Sequence, residues 1–448
     1  MGASNQNEMV NYLLNIKLSN LKNNGQYLKD NVETVKKALF DLDCEKYYDK
    51  YCSLSCIYGA FLGDSIGSSC EFSSESNENY KLIFTDGHVF KPGEITDDSE
   101  LALSAAFGYI DSLDNNPSRI SDYIYFYFLI WRYSEPKDIG RATSSALSNY
   151  HGEDISEIKF NYQEILNINF QTLANGALMR ISTFIVYFYY SNLHIIKSTI
   201  NKFFKENKSD ELDDEIMRLY SNIYNESYKN IRITHPNYEN GISCSIFTLM
   251  TLIGMITKDA KKMISFFELI SKSKKFIDYH QKPDKDFAEI TQKKYKEIIN
   301  EIKTNKKFSV CSKMGYYIHS FKLSILYLYK YPDMGENKDT DLYYKIMCDV
   351  CNRGGDTDTN CAIVGTMIGP LIGYKNFKKN LFNKFITYIP HKRCQFNSAF
   401  IYLFVNNLEK EFLNKDNNKI RNKKDNDKFK YTAYKMINSF LNNKIVID

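Results

Sequence analysis

The chain has 448 residues, 58 basic and 54 acidic side chains, and a formal charge of +4, an excess too small to demand a polyanionic partner. A chain of this length can bury about three quarters of its surface, so a large apolar core is available. With 20 glycines and 8 prolines it lacks the turn residues that all-β sandwiches and barrels use, and an all-α class is expected.

Residues 1–50 space Val10, Leu13, Leu14 and Leu21, then Val35, Ala38 and Leu39, at helical intervals among polar residues, which predicts appended N-terminal amphipathic helices. The opening Met1-Gly2-Ala3-Ser4-Asn5-Gln6 has Gln where an acylation signal needs Ser or Thr, so no lipid anchor is expected, and no secretory leader is recognised. Residues 51–448 read as a single domain. Breaks at Pro92-Gly93, Asn115-Asn116-Pro117 and Glu135-Pro136 are helix boundaries rather than linkers. The most apolar stretches, Tyr123 to Trp131 and Phe184 to Tyr190, are far shorter than the run of about 20 residues that crosses a bilayer, so no span and no membrane partner are expected.

Two stretches near 197–230 and 259–307 are rich in Lys, Glu and Asn and read as exposed inserted helices. Asn414 to Lys430 has a composition that cannot offset chain entropy by burial, and a flexible loop is expected there. Cys52-x-x-x-Cys56 and Cys348-x-x-Cys351 lie in apolar helical sequence with no paired histidine, and read as buried reduced thiols rather than a zinc site. Those thiols suit the cytoplasm, with the nucleus also open. Without a zinc finger, a phosphate-cradling GxxxxGK loop or an RNA-binding signature, no nucleic-acid partner is expected. A monomer is expected.

Glycine recurs every fourth residue at Gly59, Gly63 and Gly67 and again at Gly365, Gly369 and Gly373, so each set lies on one helical face. Each such glycine costs up to about 1 kcal/mol relative to alanine, which close approach of another backbone would offset. Acids accompany the first set: Asp64 lies within it and Glu71 just past its end. The segment Ile95-Thr96-Asp97-Asp98-Ser99-Glu100 reads as a helix start, capped by Thr96 or Asp97, with Glu100 on the solvent side of the first turn. Arg353-Gly354-Gly355-Asp356-Thr357-Asp358-Thr359-Asn360 reads as a glycine turn feeding another helix. Capping needs one acid, whereas these turns hold several. Adjacent like charges cost energy unless a cation neutralises them, and hard oxygens suit Mg²⁺, Mn²⁺ or Ca²⁺, so a shared site for one or two ions is expected.

Taken in order, Gly59-Ala-Phe-Leu-Gly-Asp-Ser-Ile-Gly67, Thr96-Asp97-Asp98, Asn175-Gly-Ala-Leu-Met-Arg180, Thr234-His235-Pro236 and Gly354-Gly-Asp-Thr-Asp-Thr359 resemble the ADP-ribosylglycohydrolase family, to which dinitrogenase reductase-activating glycohydrolases and animal ADP-ribosylhydrolases belong. The likeness runs from about residue 51 to 375. It implies an orthogonal all-α bundle around a cleft with two Mg²⁺ or Mn²⁺ ions. Carried over residue by residue, the metal ligands are Thr96, Asp97, Asp98, Asp356, Asp358 and Thr359. Glu71 matches a glutamate that, in the serine-directed branch, lies near the metals and moves as substrate enters. Asn175 and Gly176 match a loop touching ADP-ribose, and His235 a histidine on the ligand side of the cleft. Backbone N–H groups near Gly140 and Gly176 are candidates for cradling the diphosphate. No aromatic is assigned to the adenine, Phe170 being the nearest to a candidate.

The resemblance implies a metal-dependent hydrolase that cleaves the bond between ADP-ribose and a modified protein side chain, arginine being the first choice. Serine-linked ADP-ribose or O-acetyl-ADP-ribose is the alternative, and a non-catalytic ADP-ribose binder the second. Partners would be an ADP-ribosylated protein or a small molecule containing ADP-ribose. Asp97, Asp98 and Glu71 are the candidates for moving protons, with the base and the acid left open among them. The remaining histidines, His88, His151, His194, His280, His319 and His391, are expected to stand outside the chemistry.

Overall fold

Apolar residues recur along this chain at helical rather than alternating spacing, and its regular structure is helical. The computed structural model describes residues 32–74, 90–148, 159–205, 211–305, 308–336, 339–388 and 399–413. Most of the N-terminal leader, the 414–430 segment, His88, His151 and His391 lie outside the described residues. The elements in order are α1 (residues 32–41), α2 (Tyr48–Gly67), α3 (Asp97–Asp114), α4 (Ile120–Tyr133), α5 (Arg141–Leu147), α6 (Tyr162–Asn169), α7 (Ser182–Ser191), α8 (Leu193–Lys205), α9 (Asp214–Ile231), α10 (Tyr238–Thr257), α11 (Ala260–Lys272), α12 (Lys274–Asp278), α13 (Asp284–Lys303), α14 (Tyr317–Lys330), α15 (Leu342–Asn352), α16 (Thr357–Ile372), α17 (Lys379–Ile386) and α18 (Ala399–Phe412). Among the described residues the only β pairing is an isolated antiparallel bridge between Ala174 and Tyr316. The all-α expectation holds.

The two glycine-bearing helices, α2 and α16, form the central pair. They run antiparallel with a fixed register: Gly59 faces Gly365, Gly63 faces Cys361, and Gly67 faces Thr357. A Cβ on Gly63 would strike the Cys361 carbonyl, whose carbon lies 2.7 Å from it. The backbones therefore touch where side chains would normally separate them. Two hydroxyls lock the seam, with Tyr343 donating to the Gly59 carbonyl at 2.6 Å and Thr357 to the Gly67 carbonyl at 2.7 Å. Gly373 departs from the expectation. It lies just beyond α16 at φ +81°, where it stops the helix and abuts the Tyr51 ring.

Around this pair α10 is the other central helix. Tyr238–Thr257 is long and apolar enough, by length and composition, to cross a membrane, and it is buried inside the fold. It, and not Tyr123 to Trp131 or Phe184 to Tyr190, is the longest apolar helix among the described residues; its interspersed Glu239, Asn240, Ser243, Ser245, Thr248 and Thr251 obscure it in the sequence. Three of the Lys-rich helices pack against it, and they are half-buried rather than exposed. α9 turns Ile216, Leu219 and Ile223 inward, α11 Met263, Phe266 and Ile270, and α13 Ala288, Tyr295 and Ile298. Full burial of each Ile, Met or Phe contributes roughly 1.5–3 kcal/mol, and Lys294 of α13 adds an ion pair to Glu239 of α10 at 2.6 Å.

Candidate active site

The register of the glycine seam decides where the acids meet, because it sets the C-terminal end of α2 beside the N-terminal end of α16. Asp64, fully buried one turn before the end of α2, accepts backbone N–H bonds from Thr96 at 3.0 Å and Ser99 at 3.3 Å. It thereby pins the first turn of α3 to α2. Thr96 is the N-cap of α3: its hydroxyl accepts from the Asp98 amide and donates to Asp98 Oδ2. Thr359 donates to the same Oδ2 at 3.2 Å, joining turns 261 residues apart. The other oxygen, Asp98 Oδ1, is buried with no hydrogen-bond partner. On the α16 side, Gly354 and Gly355 take φ of +68° and +78°, which sets the sharp turn into Asp356. Gly355 exchanges two 2.9 Å backbone bonds with Phe72 and Ser73, which fastens the segment after Glu71 to the aspartate turn.

Two groups of carboxylates result. Oxygens of Asp64, Asp98 and Asp358 lie within 4.8 Å of one another, and so do those of Glu71, Asp356 and Asp358. Asp358 belongs to both. Among the described residues no lysine or arginine forms an ion pair with any of them. Burial, then the neighbouring carboxylates, holds the Asp97, Asp98 and Asp358 carboxyls well above the usual range. Burial, with Asp138 and Asp356 beside it, pushes Glu71 up to about 8. Burial raises Asp64 only to about 6, because hydrogen bonds from Ser99 and Thr96 offset it. A buried, mutually repelling set of hard oxygens with an orphaned Oδ1 on Asp98 fits divalent cations and leaves them several open lone pairs.

A pH-dependent stability follows. These carboxyls have folded-state pKa values above their unfolded ones, so their contribution to stability is full below about pH 4 and is lost as pH rises through the folded values, reaching about 8 for Glu71. A cation binds the ionised forms. The rise in Tm on adding Mn²⁺ is therefore expected to grow from about pH 5 to about pH 8, as followed by thermal unfolding. An equal rise at both ends of that window would count against these acids as ligands.

Glu71, Asp97, Asp98, Asp138, Asp356 and Asp358 line a cleft of about 920 Å³, within the range of small-molecule sites. Of the residues singled out in the sequence, Glu71, Asp97, Asp98, Gly140, Asn175, Gly176, His235, Asp356, Asp358 and Thr359 all line it. Thr96 is buried behind them. Asn175 donates from Nδ2 to Asp356 Oδ2 at 2.7 Å, linking the Asn175-Gly176 turn to the acids. Arg180, fully buried, donates to the Gly176 carbonyl at 2.7 Å and to the Asn230 side chain and carbonyl. Gly176 has to be glycine, because a Cβ there would lie 2.7 Å from His235 Cε1. Burial and the Arg180 charge push His235 down to about 3, so its ring is neutral, with Nδ1 paired to the Thr234 hydroxyl at 2.7 Å.

Several expectations need correction. Glu100 does not face solvent: it is buried, and Trp131 Nε1 donates to its carboxylate at 2.6 Å. Phe170 packs edge-on against Tyr238 and Phe287 and is absent from the cleft lining, whereas Tyr316 lines it. Gly140 has open space around its Cα at the start of the seven-residue α5. Asp64 and Asp138 were not assigned roles in the sequence. Asp64 had a visible signal, an acid inside a glycine stripe, while Asp138 reaches the cleft only through tertiary packing.

Known proteins resemble this chain. The family model described as ADP-ribosylglycohydrolase matches residues 44–389. A protein of Acanthamoeba polyphaga mimivirus, provisionally named an ADP-ribosyl glycohydrolase, is 27% identical over 335 residues, covering 70% of this chain and 85% of that relative. A solved structure described as an ADP-ribosylglycohydrolase-related protein complex aligns with 80% of this chain and 98% of its own at 16% identity, with a TM-score of 0.49. The family match takes in every acid of the cleft, from Glu71 to Asp358, and the chain belongs to the ADP-ribosylglycohydrolase family, hydrolases that act on linkages to ADP-ribose.

Proposed function

We propose that this hydrolase releases ADP-ribose from modified arginine side chains of proteins, with two Mg²⁺ or Mn²⁺ ions held by Thr96, Asp97, Asp98, Asp356, Asp358 and Thr359. The metal centre is supported by two carboxylate triads that share Asp358, Asp64 and Asp98 completing one and Glu71 and Asp356 the other, with Asp97 beside them in the cleft lining. Divalent ions at such a site polarise water and ribose hydroxyls. Asp64 and Thr96 hold the first aspartate turn in place through their bonds to its amides. Asn175, fixed by Asp356, and the flat Gly176 turn against His235 orient the ADP-ribose. Neutral His235 offers hydrogen bonding without adding charge. Glu71 lies half-buried in the cleft wall, and its carboxyl, pushed up to about 8, can exchange a proton near neutral pH beside the breaking bond.

Arginine is favoured because its glycosylated guanidinium is already protonated, so it leaves as a neutral guanidine that takes up the proton released by the attacking water, and Asp138 and Asp356 in the same wall attract the cationic side chain as it enters. The proton retained on Glu71 favours a second reading, serine-linked or acetyl-linked ADP-ribose, since an oxygen leaving group needs a donor. Turnover of arginine-linked peptide, serine-linked peptide and O-acetyl-ADP-ribose, with Mg²⁺, with Mn²⁺ and with a chelator, separates these. The expected result is metal-dependent release from the arginine-linked peptide. Cleavage confined to the serine or acetyl linkage selects the second reading, and full activity in chelator rejects the metal assignment.

A further inference from the structure

Glu71 is followed by an aromatic residue that neither the seam nor the acid cluster requires. Phe72 is 68% exposed, lines the same cleft as Glu71, Asp138 and Asp356, and adopts a left-handed backbone with φ +61°. For a bulky side chain that conformation costs on the order of 1–2 kcal/mol, and an exposed ring recovers none of it by burial. The conformation is imposed by the paired bonds to Gly355: the Phe72 amide donates to the Gly355 carbonyl, and the Gly355 amide donates to Ser73. Those bonds fix the Phe72 backbone relative to Asp356, one residue further on, and the exposed ring lines the cleft together with Glu71, Asp138 and Asp356.

We infer that Phe72 is a specificity-determining platform that receives the guanidinium and stem of the modified arginine as the linkage enters the acid end of the cleft. The inference rests on the arginine reading above. A delocalised, weakly hydrated guanidinium can stack on an aromatic face while its N–H groups point at carboxylates, and both surfaces stand together here. A neutral serine or acetyl group would gain little from the same ring.

The test compares wild-type enzyme with Phe72→Ala and Phe72→Tyr, using the arginine-linked peptide as substrate and free ADP-ribose as competitive inhibitor of the same reaction. Phe72→Ala is expected to lower kcat/KM for the peptide about tenfold, mostly through KM, the size of a well-formed cation–π contact, while the inhibition constant for ADP-ribose moves several-fold less. Phe72→Tyr is expected to restore most of the loss. Equal losses for peptide and ADP-ribose, or no loss in Phe72→Ala, would overturn the role of Phe72 while leaving the arginine reading standing. A wild-type enzyme that is inactive on the arginine-linked peptide yet cleaves the serine-linked one would instead remove both the arginine reading and the guanidinium as the ring's occupant.

Discussion

Asp98→Asn is expected to lower turnover on the order of 10³-fold or more, because divalent ions at such a centre supply several kcal/mol of transition-state stabilisation. The same substitution is expected to stabilise the metal-free protein. Asparagine keeps a carbonyl oxygen for the Thr96 and Thr359 hydroxyls, so the two bonds to Oδ2 survive. It removes a carboxyl whose ionisation is opposed by burial and then by Asp64, Asp97 and Asp356, and with it the cost of keeping that group protonated near neutral pH. Thermal unfolding without metal should therefore give a Tm above wild type near neutral pH, and the gain on adding Mn²⁺ should largely disappear. A variant that keeps its rate, or that loses stability without metal, would show Asp98 to be an ordinary helix-start residue. Gain of stability with loss of activity is the mark of charge retained for chemistry.

Gly63→Ala is expected to be the most damaging change outside the acids. Alanine would gain about 1 kcal/mol of helix propensity over glycine. Against this, its Cβ would need to clear a backbone carbonyl and the Ala362 amide, neither of which can rotate aside. Restoring ordinary contact takes a shift of roughly 1 Å between α2 and α16, and overpacking of this kind costs about 3 kcal/mol, so the steric cost wins. The shift would also move Asp64 against Asp358. A displacement of that size near a reacting centre costs on the order of 10²-fold in rate. Urea unfolding and turnover of the variant measure both consequences, and a wild-type midpoint with a wild-type rate would show that the seam is looser than its register implies.

What the sequence disclosed was local. Thr96-Asp97-Asp98 and Asp356-Thr357-Asp358-Thr359 each crowd several ligand types onto one turn, and a spacing of four marks a glycine face whatever the helix packs against. The helical class followed from the scarcity of glycine and proline. The partner of each turn was not. Asp64 bonds to amides 32 and 35 residues away, and Glu100 takes its indole partner from the next helix, 31 residues on. Capping rules see only neighbours within one turn, so they placed Glu100 in solvent. Tyr316 enters the cleft through its backbone bridge to Ala174, a pairing that no spacing reveals. α10 was hidden because buried polar residues punctuate it, Ser245 and Thr251 bonding to the Gly241 and Phe247 carbonyls within the helix and Glu239 and Asn240 bonding to Lys294 and the Thr172 carbonyl outside it, so that they interrupt the hydropathy without interrupting the core.

The glycine seam also governs when this enzyme can come into being. α2 is made early, and nearly all of its residues are buried, yet the surface it needs belongs to α16. The lock between Thr357 and Gly67 closes over 290 residues of intervening chain. At ordinary rates of translation that interval is roughly 15–60 s, during which a naked glycine and apolar face waits on the ribosome for its mate. No nascent chain that ends before α16 holds both halves of the acid cluster, so hydrolase activity cannot precede the synthesis of α16.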